Sequence, residues 1–372
     1  MGEPASDRPL HVALLSPCFW PEVRRGSERF TRELADGLIA RGHRPSLITS
    51  HPGRPARSVE NGLPVLRLPR PPQRRLLRRR YEPYLTHVPL SYLALRAGSY
   101  DLAHAVYPAD ALAAVRWKRR TERPVVLSYM GIPDRRGLTE YRSRLSVMLR
   151  CTRGCDAVIA LSAHAAEAFR RWLGYEARVI PPGVNLSAFG PSTRAAQPTI
   201  VCTAAADVPR KHVGLLVQAF GQLRRQRPDA RLILSRPPAL EAAARAGVEV
   251  LAPGLEWRDL DRREALARAY GEAWVAVLPS VDEAFGLVLV EALACGTPVV
   301  GYAHSAIPEL IDGPAVGRMF ERLETESLAR ALLETLESPP DQLTAARCRA
   351  RAEQFSTERC VERYLDLYNE LL

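Results

Sequence analysis

The chain has 372 residues, 47% of them hydrophobic, and a formal net charge of +11 at pH 7. This length exceeds one ordinary hydrophobic core, so two domains are expected. There is no run of eighteen apolar residues, and residues 1–9 are too polar for a signal peptide, which predicts a cytoplasmic protein. The seven cysteines include no Cys-x-x-Cys motif, which argues against a disulfide framework and a zinc site, and Cys151 and Cys155 are predicted to be buried thiols.

The positive charge is concentrated in the first half of the chain. Residues 1–186 hold 31 Lys and Arg against 16 Asp and Glu, whereas the remainder holds 21 against 25. A strong field of one sign attracts acidic partners, which leaves nucleic acid, an anionic membrane surface and an acidic acceptor as candidates. Lys118 and Lys211 are the only lysines among 52 basic residues, so a lysine within a motif is rarely a coincidence.

Alternating apolar patterns predict a doubly wound parallel sheet in the first half. A strand over 11–16, a helix over about 27–41 and a strand over 44–49 form an opening βαβ unit. Further strands are predicted over residues 65–68, 102–105, 125–129 and 157–161. In the turn of the opening unit, the backbone N–H of Gly26 is expected to meet a phosphate or acceptor, while Arg25 would crowd the turn or supply a guanidinium.

Residues 67–80 contain seven arginines in fourteen positions. After Pro72 the segment is predicted to form a basic helix with an apolar side made of Leu76, Leu77, Tyr81 and Leu85. Three interpretations stay open: docking on an anionic membrane, contact with an acidic soluble acceptor, or a solvated loop without a specific role.

In the second half, strands are predicted over residues 199–204, 230–234, 248–251, 273–278 and 297–302. Residues 190–198, rich in Pro, Ser and Ala, are expected to form a linker, and a last helix is expected over about 357–371. His104 and His304 follow or flank predicted strand ends, where core or loop roles are favoured over catalysis.

Residues 278–301 place a polar ligand-binding pattern inside an apolar βαβ unit. Glu283 and Gly286 fall in the turn after the strand, and Glu291 falls on the following helix, so both carboxylates are expected to face the crevice above the strand ends. The backbone N–H groups of residues 285–288 suit an anion, and glycine at 286 permits close approach of a ligand. This pattern predicts a nucleotide-sugar donor site.

The same segment resembles the donor-site signature of family-4 retaining glycosyltransferases, which have the GT-B fold of two Rossmann-like domains. The resemblance implies an acceptor-binding domain over 1–186, a donor-binding domain over 187–355, a cleft between them, and a helix over 356–372 that packs back on the first domain. It implies that Glu283 contacts the hydroxyls of the donor sugar and that Glu291 holds the ribose. The backbone that meets the donor is then that of Ala284, Phe285, Gly286, Leu287 and Val288.

Residues 208–220 resemble the loop and helix start that hold the donor diphosphate in this family. Lys211 takes the position of the family lysine, whose ammonium would offset charge on the diphosphate as the glycosidic bond breaks. The family arginine five residues earlier is replaced by Ala206. Arg210 and Arg25 are the nearest candidates to compensate for the missing cation. Because Arg210 is adjacent to Lys211 in sequence, its side chain is expected to point elsewhere unless the loop is irregular.

Residues 125–133 resemble a strand end where family members carry His-Gly, but Met130 takes the place of the histidine. Tyr129 and Met130 are therefore candidates to face the donor sugar or the acceptor. The loss of a hydrogen-bonding group there predicts a donor that lacks a 6-hydroxyl group, or an apolar contact with the acceptor. Neutral drift with water filling the space is an equally open interpretation.

The resemblance implies transfer with retention, in which the leaving phosphate accepts the acceptor proton and no metal or other cofactor is required. The expected acceptor is a cell-envelope glycolipid or a small specialised metabolite. The sequence Asp259-Leu-Asp261 lies in a polar helical stretch and is interpreted as solvated rather than as a metal site. Two alternatives stay open: an epimerase or phosphorylase of the same fold, and a non-catalytic protein that binds sugar nucleotides or nucleic acid, although no RNA-recognition signature is present.

Overall fold

The computed structural model describes residues 8–23, 26–245, 247–337 and 339–372. The chain forms two compact units: Met1–Gly183 together with Thr357–Leu372, and Val184–Ser356. Each unit contains a sheet of parallel strands, apart from one antiparallel edge strand in the first unit, so the predicted fold class is confirmed.

Six of the eight strands in the first unit lie at or near predicted positions, whereas the two edge strands at 56–60 and 178–179 were not predicted. The strands are β1 (His11–Leu15), β2 (Arg44–His51), β3 (Ala56–Glu60), β4 (Leu63–Pro69), β5 (Leu102–Ala105), β6 (Val125–Ser128), β7 (Ala157–Ala160) and β8 (Arg178–Val179). Their order in the sheet is β3-β4-β2-β1-β5-β6-β7-β8, and β3 pairs with β4 in the antiparallel sense.

The helices of the first unit come from both ends of the chain. They are α1 (Gly26–Ala40), α2 (Arg74–Arg78), α3 (Val88–Ala97), α4 (Pro108–Thr121), α5 (Arg135–Glu140), α6 (Arg144–Gly154), α7 (Ala163–Leu173) and α14 (Thr357–Leu371). Helix α14 packs directly on α1, where a Cβ atom at Gly37 would collide with the side chain of Val361. The absence of a side chain at residue 37 therefore lets the two helices approach closely.

A buried polar network also holds α14 on the sheet. The imidazole of His104 lies 2.6 Å from the hydroxyl of Tyr368 and 2.7 Å from the hydroxyl of Ser128, which in turn lies 2.7 Å from the hydroxyl of Tyr364. Burial lowers the pKa of His104 to about 3, so the ring is neutral at pH 7. This places His104 in the core, as the sequence favoured.

The second unit has a six-stranded parallel sheet in the order β11-β10-β9-β12-β13-β14. Its strands are β9 (Thr199–Cys202), β10 (Arg231–Ser235), β11 (Leu255–Arg258), β12 (Val275–Leu278), β13 (Val299–Tyr302) and β14 (Gly317–Phe320). Its helices are α8 (Val213–Leu223), α9 (Leu240–Arg245), α10 (Arg263–Glu272), α11 (Leu287–Ala294), α12 (Thr325–Thr335) and α13 (Gln342–Glu353).

Two predictions for the second unit are wrong. Residues 248–251 do not form a strand, because the chain turns there and leaves Leu251 85% exposed; strand β11 begins only after Gly254. Residues 190–198 are not a free linker. The guanidinium of Arg194 donates to the carbonyl oxygen of Gly271 at 2.8 Å, which fixes this segment on the second unit.

The basic segment 67–80 forms a much shorter helix than predicted. Its first arginines are used inside the fold, since Arg67 pairs with Glu60 and Arg70 forms two hydrogen bonds with Glu22, at 2.7 and 2.9 Å. The exposed arginines lie on or after helix α2, at positions 74, 75, 78, 79 and 80.

All seven cysteines are buried and unpaired, which confirms the prediction for Cys151 and Cys155. Within the described part of the chain, no helix is both long enough and apolar enough to cross a membrane.

Candidate active site

The second unit has a switch point between β9 and β12, where successive connections leave the sheet in opposite directions. In open parallel sheets, ligands bind outside the carboxyl ends of the strands at such a point. The connections that leave these two strands span residues 203–212 and 279–286. They carry most of the residues that the sequence assigned to the donor site.

Lys211 and Arg210 lie together on a 3₁₀ turn, Pro209–Lys211, and both approach Glu283. The ammonium of Lys211 donates to Oε1 of Glu283, and a guanidinium nitrogen of Arg210 lies 3.5 Å from the same oxygen. The side chains of Lys211 and Glu283 are 17% and 12% exposed, whereas that of Arg210 is 50% exposed. The sequence predicts that Arg210 points elsewhere unless the loop is irregular, and the 3₁₀ turn is such an irregular backbone, so both cations approach the same carboxylate.

The two connections are held against each other by the backbone. The N–H of Val281 donates to the carbonyl oxygen of Arg210 at 3.0 Å. Both connections also contain a non-glycine residue in the left-handed region, His212 with a φ of 49° and Asp282 with a φ of 54°. Such conformations persist only where the surrounding contacts determine them, which is typical of ligand-binding turns.

Helix α11 starts at this point and directs its N-terminus toward it. Gly286 precedes the helix with a φ of 104°, a conformation that a side chain would strain, and no side chain caps the helix. Among the described residues, the N–H groups of Leu287 and Val288 have no acceptor, so they are available to an anion. Phe285 is buried and packs edge-on against Phe355 at 5.3 Å, which fixes the turn from behind.

Helix α8 supplies a second N-terminus, directly after the 3₁₀ turn. His212 precedes it and makes no side-chain capping bond. Both helices therefore start beside the carboxyl ends of adjacent strands, and each N-terminus carries a partial positive charge. This arrangement suits a ligand with two linked anionic groups.

Glu291 lies deeper than the sequence predicted. It is only 1% exposed, and the hydroxyl of Tyr270 lies 3.5 Å from its Oε2 atom. The same hydroxyl lies 2.7 Å from that of Thr203, in the connection after β9. Sequence reasoning missed Tyr270 and Thr203, because Tyr270 lies in an ordinary amphipathic helix and no motif marks it.

The position of the family arginine carries no charge in this chain. Ala206 is buried at 2% exposure, and the neighbouring Ala204 is buried as well. The cations of this connection are therefore Arg210 and Lys211, four and five residues after Ala206.

In the first unit, Gly26 is the first residue of α1 and is exposed, as a phosphate-facing turn requires. Arg25, the proposed neighbour, lies outside the described residues. Cys18 lies earlier in the same connection, after β1. Its thiol donates to the buried Glu28 carboxylate at 3.3 Å. Burial, with Glu28 nearby, raises the pKa of Cys18 to about 12 and makes a catalytic thiolate unfavourable.

Tyr129 and Met130 follow β6 and are both half-buried. The Tyr129 ring packs edge-on against Phe169 at 5.6 Å, and burial raises the pKa of its phenol. Met130 packs against the apolar cluster that includes Phe30 and Tyr364. Neither residue presents a charged group.

Sequence reasoning also missed a buried ion pair of the first unit. Arg144 Nε donates to Oε2 of Glu82 at 2.7 Å, and Glu82 is only 2% exposed. No motif could have found this pair, because 62 residues separate its members.

Among the described residues, no group of three or more His, Cys, Asp or Glu side chains could hold a metal ion. Asp259 and Asp261 lie in an exposed turn, in which the Asp259 carboxylate accepts from the backbone of Asp261 at 3.0 Å. His304 is exposed and stacks on Tyr302.

Two family models match the chain. Residues 24–188 match Glycosyltransferase Family 4, and residues 197–338 match Glycosyl transferases group 1.

Curated relatives share about 30% of the aligned residues. The D-inositol 3-phosphate glycosyltransferase of Geodermatophilus obscurus is 30% identical over 73% of this chain and 66% of its own length. The phosphatidyl-myo-inositol mannosyltransferase of Propionibacterium freudenreichii subsp. shermanii is 30% identical over 70% of this chain and 68% of its own. The chain thus spans about two thirds of the length of these relatives.

Solved structures share the fold over almost the whole chain. Sucrose-phosphate synthase from Thermosynechococcus elongatus superposes with a TM-score of 0.81 at 22% identity, covering 97% of this chain and 99% of that one. HepE from Anabaena, solved in complex with UDP-glucose, superposes with a TM-score of 0.76 at 18% identity, covering 97% and 100%.

Proposed function

The chain belongs to glycosyltransferase family 4 and has the GT-B fold, and we propose that it transfers a sugar from a nucleoside diphosphate to an acceptor hydroxyl with retention of anomeric configuration. The donor binds at the switch point of the second unit. The acceptor is a polyhydroxyl compound, either free or carried on a lipid.

One observation carries this proposal: Lys211 and Glu283 are in contact beside the N-terminus of α11. A cation next to uncapped N–H groups suits a diphosphate, and a carboxylate in contact with that cation suits hydroxyl groups. A sugar attached directly to a diphosphate presents these two chemistries side by side. The solved complex of HepE with UDP-glucose, which shares only the fold, is consistent with such a ligand.

Each residue then has a defined role. Glu283 accepts hydrogen bonds from the sugar hydroxyls and orients the ring. Lys211, Arg210 and the N–H groups of Leu287 and Val288 stabilise the negative charge that develops on the diphosphate.

Glu291 and Tyr270 hold the ribose. Because both are buried, the ribose hydroxyls reach them at the inner end of the site.

The reaction balances without a protein base. The bond between the anomeric carbon and the diphosphate oxygen breaks, and the acceptor oxygen forms the new glycosidic bond on the same face. The departing phosphate oxygen takes the proton of the acceptor hydroxyl, and the products are a glycoside and a nucleoside diphosphate. Lys211 and the helix N-termini supply the positive charge, so we propose that no metal ion is required.

The donor sugar is proposed to lack the 6-hydroxyl group, since Met130 offers only an apolar surface where the family carries a histidine. A panel of nucleoside diphosphate sugars that includes matched 6-deoxy and 6-hydroxy hexoses tests this. Met130→His is expected to shift the preference toward the 6-hydroxy donor. A clear preference of the unmodified protein for a 6-hydroxy donor would remove the proposal about the sugar but not the one about the reaction.

The transfer itself is tested with purified protein, mixed nucleoside diphosphate sugars and candidate acceptors, followed by mass spectrometry. NMR of the product gives the anomeric configuration, and addition of EDTA should leave the rate unchanged. Hydrolysis or epimerisation of the donor without any transfer would support an epimerase or phosphorylase instead. Inversion of configuration would contradict the retaining mechanism.

We also propose that the exposed arginines after Pro72 bring the protein to an anionic membrane surface. Each basic residue near such a surface contributes about 1 kcal/mol to binding. Co-sedimentation with vesicles that contain anionic lipid is expected to weaken in Arg78→Gln/Arg79→Gln. The matched control is Arg119→Gln/Arg120→Gln, a pair that is equally exposed on α4. Equal weakening by both pairs would indicate attraction through net charge alone.

A further inference from the structure

The candidate site of the second unit pairs its own cation and carboxylate with each other. The ammonium of Lys211 donates to Oε1 of Glu283. Among the described residues, Glu283 is the only carboxylate within ion-pair distance of Lys211, and Arg210 lies 3.5 Å from the same Glu283 oxygen. A ligand whose phosphates take Lys211 must therefore separate it from Glu283.

This separation opposes ligand binding, because both groups are largely withdrawn from water. The side chains of Lys211 and Glu283 are 17% and 12% exposed, so solvent screens their charges less than those of a surface pair. The backbone also fixes both residues. The N–H of Lys211 donates to the carbonyl oxygen of Val208 at 3.0 Å, and the N–H of Ala306 donates to that of Glu283 at 3.3 Å. The Glu283 carboxylate therefore remains close to any phosphate that Lys211 holds.

The donor and the product of the proposed reaction differ at this point. In a nucleoside diphosphate sugar the terminal phosphate is esterified, and the sugar hydroxyls donate to Glu283 in place of Lys211. After transfer the nucleoside diphosphate has lost these hydroxyls. Its freed phosphate oxygen also adds negative charge at pH 7, since the second pKa of a phosphate monoester is about 6. Glu283 then faces a more negative group, and no sugar donor offsets its own charge.

We propose that Glu283 discriminates the nucleoside diphosphate sugar from the nucleoside diphosphate, and thereby favours release of the product after transfer. It does so by competing for Lys211: the sugar compensates Glu283 for the loss of Lys211, whereas the product does not. A charge left without a partner is a general means of rejecting the wrong ligand. The inference rests on the proposed transferase function and adds a role in specificity to the contact that Glu283 makes with the sugar.

The experiment compares two affinities of the full chain, measured by calorimetry without an acceptor. The tightest binder among UDP, GDP, ADP and dTDP represents the product, and the sugar conjugate that the transfer assay identifies represents the donor. Glu283→Gln removes the carboxylate from Lys211 and is expected to raise the affinity for the nucleoside diphosphate by about tenfold, the size of a charge-assisted contact. The donor loses its contact with the carboxylate in the same variant, so the ratio of donor affinity to product affinity should fall by about tenfold or more.

Asp282→Asn is the matched control, because it removes the neighbouring carboxylate, which is exposed. Asparagine also adopts readily the left-handed backbone conformation that residue 282 has. Its effect on the affinity for the nucleoside diphosphate is expected to be less than about twofold. No gain in Glu283→Gln, or an equal gain in Asp282→Asn, would overturn the proposal.

A double-mutant cycle tests whether the gain acts through Lys211. In a Lys211→Gln background, Glu283→Gln is expected to lose most of its effect on the affinity for the nucleoside diphosphate. A gain of undiminished size there would contradict the competition for Lys211.

A further measurement uses the unmodified protein and does not depend on the folding of a variant. The chain has only two lysines, Lys211 in the second unit and Lys118, which pairs with Asp156 at 2.6 Å in the first. NMR of protein with isotope-labelled lysine therefore gives one side-chain signal from each unit. Saturation with the nucleoside diphosphate is expected to shift the Lys211 signal, as the ammonium exchanges a carboxylate for a phosphate, and to leave the Lys118 signal in place. An unshifted Lys211 signal at saturation would overturn the proposal, whereas a failure of all four nucleotides to bind would count against the transferase function instead.

Discussion

The two units share a doubly wound topology, with a switch point between β1 and β5 in the first and between β9 and β12 in the second, yet they use particular basic side chains differently. The second unit presents Lys211 and Arg210 on a short turn beside helix N-termini, with partial exposure. In the first unit, Arg144 is instead paired with the buried carboxylate of Glu82. The comparison teaches that a doubly wound sheet decides where a ligand binds, whereas the residues after each strand decide which charge it carries.

The largest effect that the comparison predicts is at Lys211. Lys211→Ala should lower kcat by roughly 10² to 10³, because a well-placed charge acts on the diphosphate mainly as the bond breaks. Lys118→Ala is a matched control, since it removes the other lysine, which pairs with Asp156 in the first unit. Steady-state kinetics measure both, and circular dichroism checks that they fold. Equal losses in the two variants would remove the special role of the second-unit site.

The buried network of the first unit predicts a dependence on pH that the second unit should not share. Burial lowers the pKa of His104 to about 3, from 6.5 as its ordinary value. The unfolded chain therefore binds the extra proton between these values, and the free energy of unfolding of the first unit falls by roughly 1.4 kcal/mol per pH unit below about pH 6.5.

Hydrogen exchange of the β5 amides between pH 7 and 5, corrected for intrinsic rates, measures this dependence. The β9 amides serve as the internal reference, and His104→Gln should flatten the slope at β5. A slope of the same size in β9 would mean that the effect is not specific to His104.

A smaller effect is expected at Glu291. Glu291→Gln keeps the shape of the side chain but removes its charge, so affinity for a nucleoside diphosphate should fall by about tenfold, as when a hydrogen bond to a charged group is lost. Calorimetric titration with UDP measures it, with the exposed Glu324→Gln as control. An unchanged affinity would separate the buried Glu291–Tyr270 pair from ribose binding.

The smallest effect is expected at Arg210. Its side chain is 50% exposed and lies 3.5 Å from Glu283, so Arg210→Gln should raise KM for the donor by only about twofold to threefold. The dependence of KM on salt measures this contribution, because a screened contact loses its effect at high ionic strength. A loss as large as that of Lys211→Ala would mean that Arg210 takes over the role of the arginine replaced by Ala206.

The sequence predicted the class of the fold and most central strands, because buried parallel strands are short apolar runs. Strands β5, β6 and β7 lie within a residue of the expected positions. The strand prediction failed at residues 248–251, where the apolar pattern is not matched by burial in the fold. Leu251 is exposed there, and the chain turns before β11. The edge strand β3 was not predicted, since its side chains are mostly exposed.

For the site, the sequence predicted which residues of the second unit come together but not how. It identified Lys211 and Glu283, which the structure brings into contact across 72 positions. It left the direction of Arg210 open, because that direction depends on a 3₁₀ turn, and it did not predict how deeply Glu291 is buried. Tyr270 went unnoticed because it contacts Glu291 only through packing of α10 against α11.

The sequence by itself determined the two parallel-sheet units, the family, and the presence of a lysine and two glutamates around a helix N-terminus, because these depend on local patterns of apolar and polar residues. Only the tertiary structure decided that Glu82 offsets Arg144, that His104 is neutral in the core, and that Glu291 is buried. Each of these depends on a partner distant in the chain and on the loss of water around a charge, and no local pattern contains either.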